Sequence, residues 1–452
     1  MKKIFWAFTI CVMFGTACSA EQEKEVKPTL FSAKISVADS IDQTGDYSGF
    51  QVLIFSKKSA SASADTLFWG ITDSTGFVNG VIDLKDEGAF PTQISRNGVN
   101  LGAIRLLLAY DDTVKVSGEF PGFQETLVVD SRESRAMKLY DRVDTGYKRT
   151  SQFIISGQIA DSLIPGELQK WVNLYWEVYQ DHKGTFASKF ALEATINLLR
   201  QYDSPQMFSK LNQAFDEDLA FGLAITKGKE YVAKNFGLEK AITYLDSVKA
   251  LTKEKEIIRA IDQSVIKINY DSLRVEEARE LLEKYNKKYN LDDSELSFWY
   301  KNMRFDLTYL APGMDIPEFS FRTSDGDTIT NSSMIGKSYL LEFTLMANQL
   351  YQSQYEEATV IYQIYNINGL EYFTIPFDQS TNTIIAFFEE RDRYWEIADP
   401  PSFDRKAFVE NFNIQYFPTR ILVNKQGKIV RKYIGEEFDG IIPAITETLK
   451  NN

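Results

Sequence analysis

Along residues 30–130, apolar positions alternate with polar ones or gather in short β-branched and aromatic runs broken by Gly, Asp and Ser. The runs at 50–55, 101–110 and 113–116 read as strands, because successive side chains of an extended chain point to opposite faces. Asp73-Ser74-Thr75-Gly76, between apolar runs at 67–71 and 77–82, predicts a hairpin, since Asp and Gly supply turn backbone. Residues 56–64 (SKKSASASA) are small and polar and predict a loop tip. Together these elements predict an all-β sandwich, a spacer or docking module without chemistry of its own.

From 131 to 307 the period lengthens. Trp171, Leu174, Tyr175, Val178 and Tyr179 recur at helical spacing, and similar stripes run over 186–202, 206–219 and 275–289. Asp203-Ser204-Pro205 predicts a helix break and restart, and His182 before Lys183-Gly184 predicts a helix end. Glu280 with Lys284 and Glu283 with Lys287 mark a solvated helix face. No fixed-period repeat calls for a solenoid.

From 308 to 452 the order is β, β, α, β, α, β, β, α, an α/β layer domain. Residues 338–343 form an apolar strand, and 348–365 a helix with Tyr351, Tyr355, Ala358, Tyr362 and Tyr365 on one face. A strand at 370–375, a charged helix near 381–394, a hairpin over 420–434 and a helix at 440–449 complete it.

The first residues read as an address. Lys2 and Lys3 precede an apolar run over 4–17, too short for a spanning helix. Gly15-Thr16-Ala17-Cys18 resembles a bacterial lipobox, with Gly15 where such boxes usually carry Leu. The lipobox makes 1–17 a signal peptide and Cys18 the lipidated first mature residue; a cut after Ala20 instead releases a soluble periplasmic or secreted chain. Residues 18–29 then form a polar tether.

Charge and cysteine usage narrow the chemistry. Loss of Lys2 and Lys3 moves the formal net charge from −13 to −15, which argues against nucleic acid and against electrostatic binding to anionic lipid. Cys11 and Cys18 are the only cysteines and His182 is the only histidine. That excludes a zinc HExxH site and most histidine-dependent triads. Neither export cut leaves a usable thiol, and no metal or cofactor is expected.

The third segment resembles the thioredoxin fold, in particular exported TlpA/ResA-type thiol–disulfide oxidoreductases and their peroxiredoxin-like relatives. The residues that carry the resemblance are Pro312-Gly313, Ile316-Pro317-Glu318-Phe319, Gly336-Lys337, and Tyr416-Phe417-Pro418-Thr419 followed by the hairpin at 421–430. The two preceding segments resemble those that come before this domain in Bacteroidetes lipoproteins. The resemblance implies a Cys-x-x-Cys opening the helix after the first central strand, where helix amides lower the thiol pKa. This chain has Asn348 and Tyr351 at those positions, with Ala347 before them. An amide and a phenol cannot form a mixed disulfide, and a peroxidatic route fails for the same reason.

Further roles follow from the same resemblance. Glu342 aligns with the buried carboxylate that thioredoxins use as a proton relay; here it is either a remnant of that relay or a strand residue facing solvent. Pro418, if cis, holds open a backbone edge that receives an extended peptide, with Phe417 and Thr419 beside it.

Other motifs carry less. Gly336-Lys337-Ser338 lacks the phosphate-loop glycine, Asn331 standing in its place, and precedes a strand. Asp325-Gly326-Asp327 is turn chemistry, and the charge clusters at 216–218 and 389–393 are solvated helix faces.

The expected protein is therefore a multidomain envelope lipoprotein: β-sandwich at 30–130, helical region at 131–307, thioredoxin-like domain at 308–452. It is anchored at the outer membrane, facing periplasm or cell surface. Its expected role is redox-inactive binding or scaffolding of an envelope protein or extended peptide. The alternatives are a thiol–disulfide oxidoreductase or antioxidant enzyme, and small-ligand or glycan binding by the helical middle.

Overall fold

The computed structural model describes residues 27–56, 65–291 and 297–450. The export segment, Cys18, most of the tether and residues 57–64 of the small polar loop lie outside the described residues. The chain divides into two compact units, Met1–Leu223 and Ala224–Asn452.

The first unit opens with β1 (Thr29–Val37), β2 (Phe50–Phe55), β3 (Thr66–Ile71) and β4 (Phe77–Ile82). It continues through β5 (Gly88–Arg96), β6 (Val99–Leu108), β7 (Thr113–Phe120), a single turn α1 (Phe123–Thr126) and β8 (Val128–Asp130). The strands form two four-stranded sheets, in the orders β4-β1-β7-β8 and β3-β2-β5-β6. Alternate residues from both sheets, among them Phe31, Ile35, Val52, Ile54, Leu106 and Val114, fill one core.

The structure corrects one expected pairing. The turn at 73–76 forms, with the Gly76 amide 2.9 Å from the Asp73 carbonyl. Its flanking strands do not form a hairpin: β3 pairs with β2, and β4 pairs with β1 in the other sheet. The reason is packing. Phe68 of β3 turns into the core, and a Cβ on Gly80 of β4 would lie 2.5 Å from its ring. Gly76 itself has φ +77°, and a side chain there would collide with the Ile35 carbonyl.

Helices α2 (Arg132–Ile155), α3 (Ile164–Asp181), α4 (Phe186–Tyr202), α5 (Ser204–Leu211) and α6 (Asp218–Leu223) complete this unit. Asp112, just before β7, accepts the Arg132 and Glu133 amides at 3.1 and 3.4 Å, and Ser131 caps α2 through the Ser134 amide. These acceptors satisfy amides that have no partner inside the helix. Asp203 ends α4 and caps α5, as the break at 203–205 requires. The stripe expected over 206–219 is interrupted after Leu211, where Asn212 closes α5, and the chain becomes helical again only at Asp218.

The second unit begins with a π-helical turn, Ala224–Gly228, followed by α7 (Lys229–Phe236), α8 (Leu238–Lys249) and α9 (Lys255–Asp271). Next come α10 (Val275–Tyr289) and α11 (Ser297–Tyr309). The short pair β9 (Ser320–Arg322) and β10 (Thr328–Thr330) leads into β11 (Ser338–Thr344), α12 (Gln349–Asn366) and β12 (Leu370–Pro376). The chain then runs through α13 (Thr381–Phe388), β13 (Glu396–Ile397), α14 (Arg405–Asn411), β14 (Thr419–Val423), β15 (Ile429–Ile434) and α15 (Ile441–Lys450).

The five-stranded sheet has the order β13-β12-β11-β14-β15, with β11, β12 and β13 parallel and β14 and β15 antiparallel. Central β11 is buried along its whole length, as a strand covered on both faces must be. Tyr339, Leu341 and Phe343 enter one core with Phe412 and Phe321, while Leu340 enters the other with Tyr351, Tyr355 and Ile445.

The preceding helices are tied to this sheet by buried charge. The Lys432 ammonium on β15 lies 2.9 and 3.0 Å from the two Asp306 oxygens on α11, and 2.9 Å from the Asn413 carbonyl. Three acceptors match the three ammonium donors. Burial, with the Lys267 charge nearby, lowers the Lys432 pKa, and Asp306 only partly offsets it.

Candidate functional site

The site lies where the C-terminal end of β11 turns into α12, against the loop that enters β14. Asn348 is the N-cap of α12, and its Oδ1 accepts the Tyr351 amide at 3.0 Å. Its Nδ2 donates to the Phe417 carbonyl at 3.2 Å. One side chain therefore closes the helix start and clamps the opposite loop. The Phe417–Pro418 peptide is cis. Pro418 is buried, and the Pro418 carbonyl accepts the Gly435 amide at 2.8 Å. Thr419 is buried at the start of β14, its hydroxyl donating to the Tyr416 carbonyl at 2.6 Å. Phe417 packs its ring 5.2 Å from Phe377, while neighbouring Tyr416 is 60 % exposed.

Tyr351 does not face solvent. It is fully buried under α12, its ring stacked 5.4 Å from Phe387 and edge-on to Tyr355 at 6.0 Å. Its hydroxyl has no hydrogen-bond partner among the described residues. Burial, with the Glu342 charge nearby, pushes the phenol well above its ordinary pKa.

Glu342 is also fully buried, which excludes the solvent-facing alternative. It stands on β11 directly across from Arg420 on β14 and Thr374 on β12. Its carboxylate accepts from Arg420 Nε at 2.8 Å, Tyr372 Oη at 3.0 Å and Thr374 Oγ1 at 2.7 Å. Thr374 in turn accepts from Trp395 Nε1 at 2.8 Å, and Arg420 Nη1 donates to Gln354 on α12 at 2.9 Å. Burial opposes the guanidinium charge most strongly, but Glu342 and Tyr372 together outweigh it and hold the Arg420 pKa above its ordinary value. A buried carboxylate is tolerated only with such pairing and hydrogen bonding.

The structure thus brings Asn348, Tyr351, Phe417, Pro418 and Thr419 to one end of the sheet. Glu342 sits below them, locked into a salt bridge. Sequence reasoning missed Arg420, Tyr372, Thr374 and Gln354. The available signal was register: Arg420 and Thr374 share the face of Glu342 once the strands are paired. None of these positions carries a thiol, and the Glu342 carboxylate and the Tyr351 and Thr419 hydroxyls are buried. Among the described residues no group of three or more His, Cys, Asp or Glu side chains could hold a metal ion. No described helix is long and apolar enough to cross a membrane.

No protein-family model matches the chain. A curated protein, the thiol–disulfide oxidoreductase ResA of Bacillus cereus, is 22 % identical over 152 residues, spanning 32 % of this chain and 86 % of that protein. Among solved structures, the thioredoxin domain of a thiol–disulfide oxidoreductase from Bacteroides vulgatus matches with a TM-score of 0.27 and 22 % identity, covering 29 % of this chain and 96 % of its own. The exposed lipoprotein thioredoxin of Streptococcus pneumoniae matches with a TM-score of 0.25 and 20 % identity, covering 29 % and 99 %. Over about a third of its length this chain is similar to thioredoxin-like thiol–disulfide oxidoreductases.

Proposed function

We propose that this protein is a thioredoxin-like binding module of the bacterial envelope that has left thiol chemistry and holds an extended polypeptide at the cis-Pro418 loop. The observation that carries the reading is the fate of the two motif positions. Asn348 acts as helix cap and loop clamp, and Tyr351 as a core side chain. Neither residue can attack a disulfide, and the chain has no cysteine beyond Cys18. A peptide edge is backbone geometry and does not require the thiols. The Phe417 carbonyl already accepts one bond from Asn348, so a bound chain uses its second lone pair or displaces the amide. Export and anchoring through Cys18, at the outer membrane and facing periplasm or cell surface, belong to the same proposal.

The competing reading, a thiol–disulfide oxidoreductase, is favoured by the names of the similar proteins. The two separate in one experiment on the purified chain: insulin disulfide reduction with a thiol donor, and binding to an array of extended peptides. We expect no reduction above the donor alone, and peptide binding that Phe417→Ala weakens. Turnover that survives Cys11→Ser and Cys18→Ser would sink the proposal. Palmitate labelling lost in Cys18→Ser tests the anchor.

A further inference from the structure

At Tyr416 of the cis-Pro418 loop, α9, α11 and β15 line a cavity of about 230 Å³. Its rim is aromatic: Phe298 and Trp299 from α11, and Tyr416 from the loop, with Met303 and Ile434 behind them. Trp299 packs edge-on against Tyr285 at 5.3 Å. Phe298 and Tyr416 are 53 % and 60 % exposed, large apolar surfaces left open to solvent.

The polar floor of the cavity is already satisfied. Lys432 spends its three donors on Asp306 and the Asn413 carbonyl. Lys267 is paired with Asp271 at 3.2 Å and Glu437 at 3.0 Å, and the other Glu437 oxygen accepts the Ile434 amide. The Asn413 amide donates to the Asn302 carbonyl and to Asp306, and Gln415 donates to Asn413. Asp271 is also paired with Arg431 at 3.3 Å, so each of these charges has an opposite partner and the cavity offers no countercharge to an ionic ligand and few free donors or acceptors to a sugar.

The size narrows the occupant further. A cavity of about 150 Å³ lined by apolar side chains accepts benzene, and drug-sized ligands use roughly 300 Å³ or more. This cavity holds one ring. Tyr416 forms its wall and immediately precedes Phe417, so a chain lying across the loop passes the cavity mouth within a residue or two.

We infer that the cavity is a pocket for one uncharged aromatic side chain of a polypeptide lying across the cis-Pro418 loop. The inference rests on the proposed peptide edge and adds to it the chemistry of the partner.

The test is titration of the full chain with the blocked tripeptides acetyl-Ala-Phe-Ala-amide, acetyl-Ala-Lys-Ala-amide and acetyl-Ala-Glu-Ala-amide, followed by the Met303 and Ile434 methyl resonances. The Phe peptide is expected to shift both methyls saturably and to bind at least tenfold more tightly than the charged peptides. Phe298→Ala and Tyr416→Ala, both at exposed positions, are each expected to weaken it about tenfold. Equal binding of the three peptides, or binding unchanged by both variants, overturns the pocket. Free indole binding as tightly as the Phe peptide assigns the cavity to a free ring and overturns the polypeptide. Peptide binding that Phe417→Ala weakens, but Phe298→Ala and Tyr416→Ala do not, removes this inference and leaves the proposed function standing. Loss of all peptide binding removes both.

Discussion

Glu342 and Arg420 stand opposite each other on adjacent strands, joined at 2.8 Å and completely shielded from solvent. The carboxylate spends its remaining capacity on Tyr372 and Thr374, and the guanidinium reaches Gln354 on the covering helix. This network ties α12 to the sheet through Gln354.

Removing one partner leaves the other charged and unpaired in the core. Arg420→Met is expected to cost about 3–5 kcal/mol, whereas Arg420→Met with Glu342→Leu is expected to recover most of that loss. Urea denaturation of the wild type, the two single variants and the double variant checks this as a cycle. A single substitution costing under about 1 kcal/mol would contradict the reading.

Asn348 performs two tasks that substitution can separate. Asn348→Asp keeps an N-cap acceptor for the Tyr351 amide but cannot donate to the Phe417 carbonyl. Asn348→Ala loses both, and its capping loss alone is expected to be about 0.5–2 kcal/mol. Hydrogen exchange should show the Tyr351 amide protected in Asn348→Asp and exposed in Asn348→Ala. The loop at Phe417 should loosen in both.

The Tyr351 hydroxyl is buried with no hydrogen-bond partner among the described residues. Tyr351→Phe removes that desolvated group while keeping the ring contacts with Phe387 and Tyr355. The expected change is a stabilisation of about 1 kcal/mol, seen as a higher denaturation midpoint at unchanged slope. Destabilisation would mean that the hydroxyl has a partner.

In the first unit, Glu133 is buried at the start of α2. Burial pushes its pKa up, against the pull of the Phe186 amide at 2.9 Å and of Arg132, with Asp112 adding to the rise. The folded value lies above the unfolded one. Its contribution to stability is therefore complete below the usual carboxylate range and is lost as pH rises through the raised native value. Glu133→Gln, neutral at every pH and still able to accept the Phe186 amide, is expected to flatten this slope and to be more stable than wild type at neutral pH. Chemical denaturation at a series of pH values between about 4 and 7 reads both effects.

The element pattern was readable along the chain because strands and helices are local. The helices at 186–202 and 275–289 lie within the bounds their periodicity implies, and the break at 203–205 falls where α4 ends and α5 begins, whereas Asn348, expected inside its helix, is the cap of α12. Helix α14 was missed because seven residues are too few to establish a period, although Asp404 marks its start by accepting the Lys406 and Ala407 amides. That positions 348 and 351 carry Asn and Tyr was equally local, being read directly from the residues that stand there.

What local pattern could not supply was pairing between distant residues. That β3 and β4 part into different sheets depends on Phe68 finding space against Gly80 in a shared core. Arg420 reads in sequence as an ordinary polar strand residue. Only the antiparallel register of β14 on β11, 78 residues away in sequence, makes it the counter-ion of Glu342. Likewise the Asn348 clamp on Phe417 joins residues 69 positions apart. The sequence by itself determined most of the elements, the helix break at 203–205 and the absence of cysteine at 348 and 351, because these depend on residue type and short spacing. The tertiary structure decided which buried charges meet and which backbone carbonyl is taken, because these depend on strand register and core packing, which no local window contains.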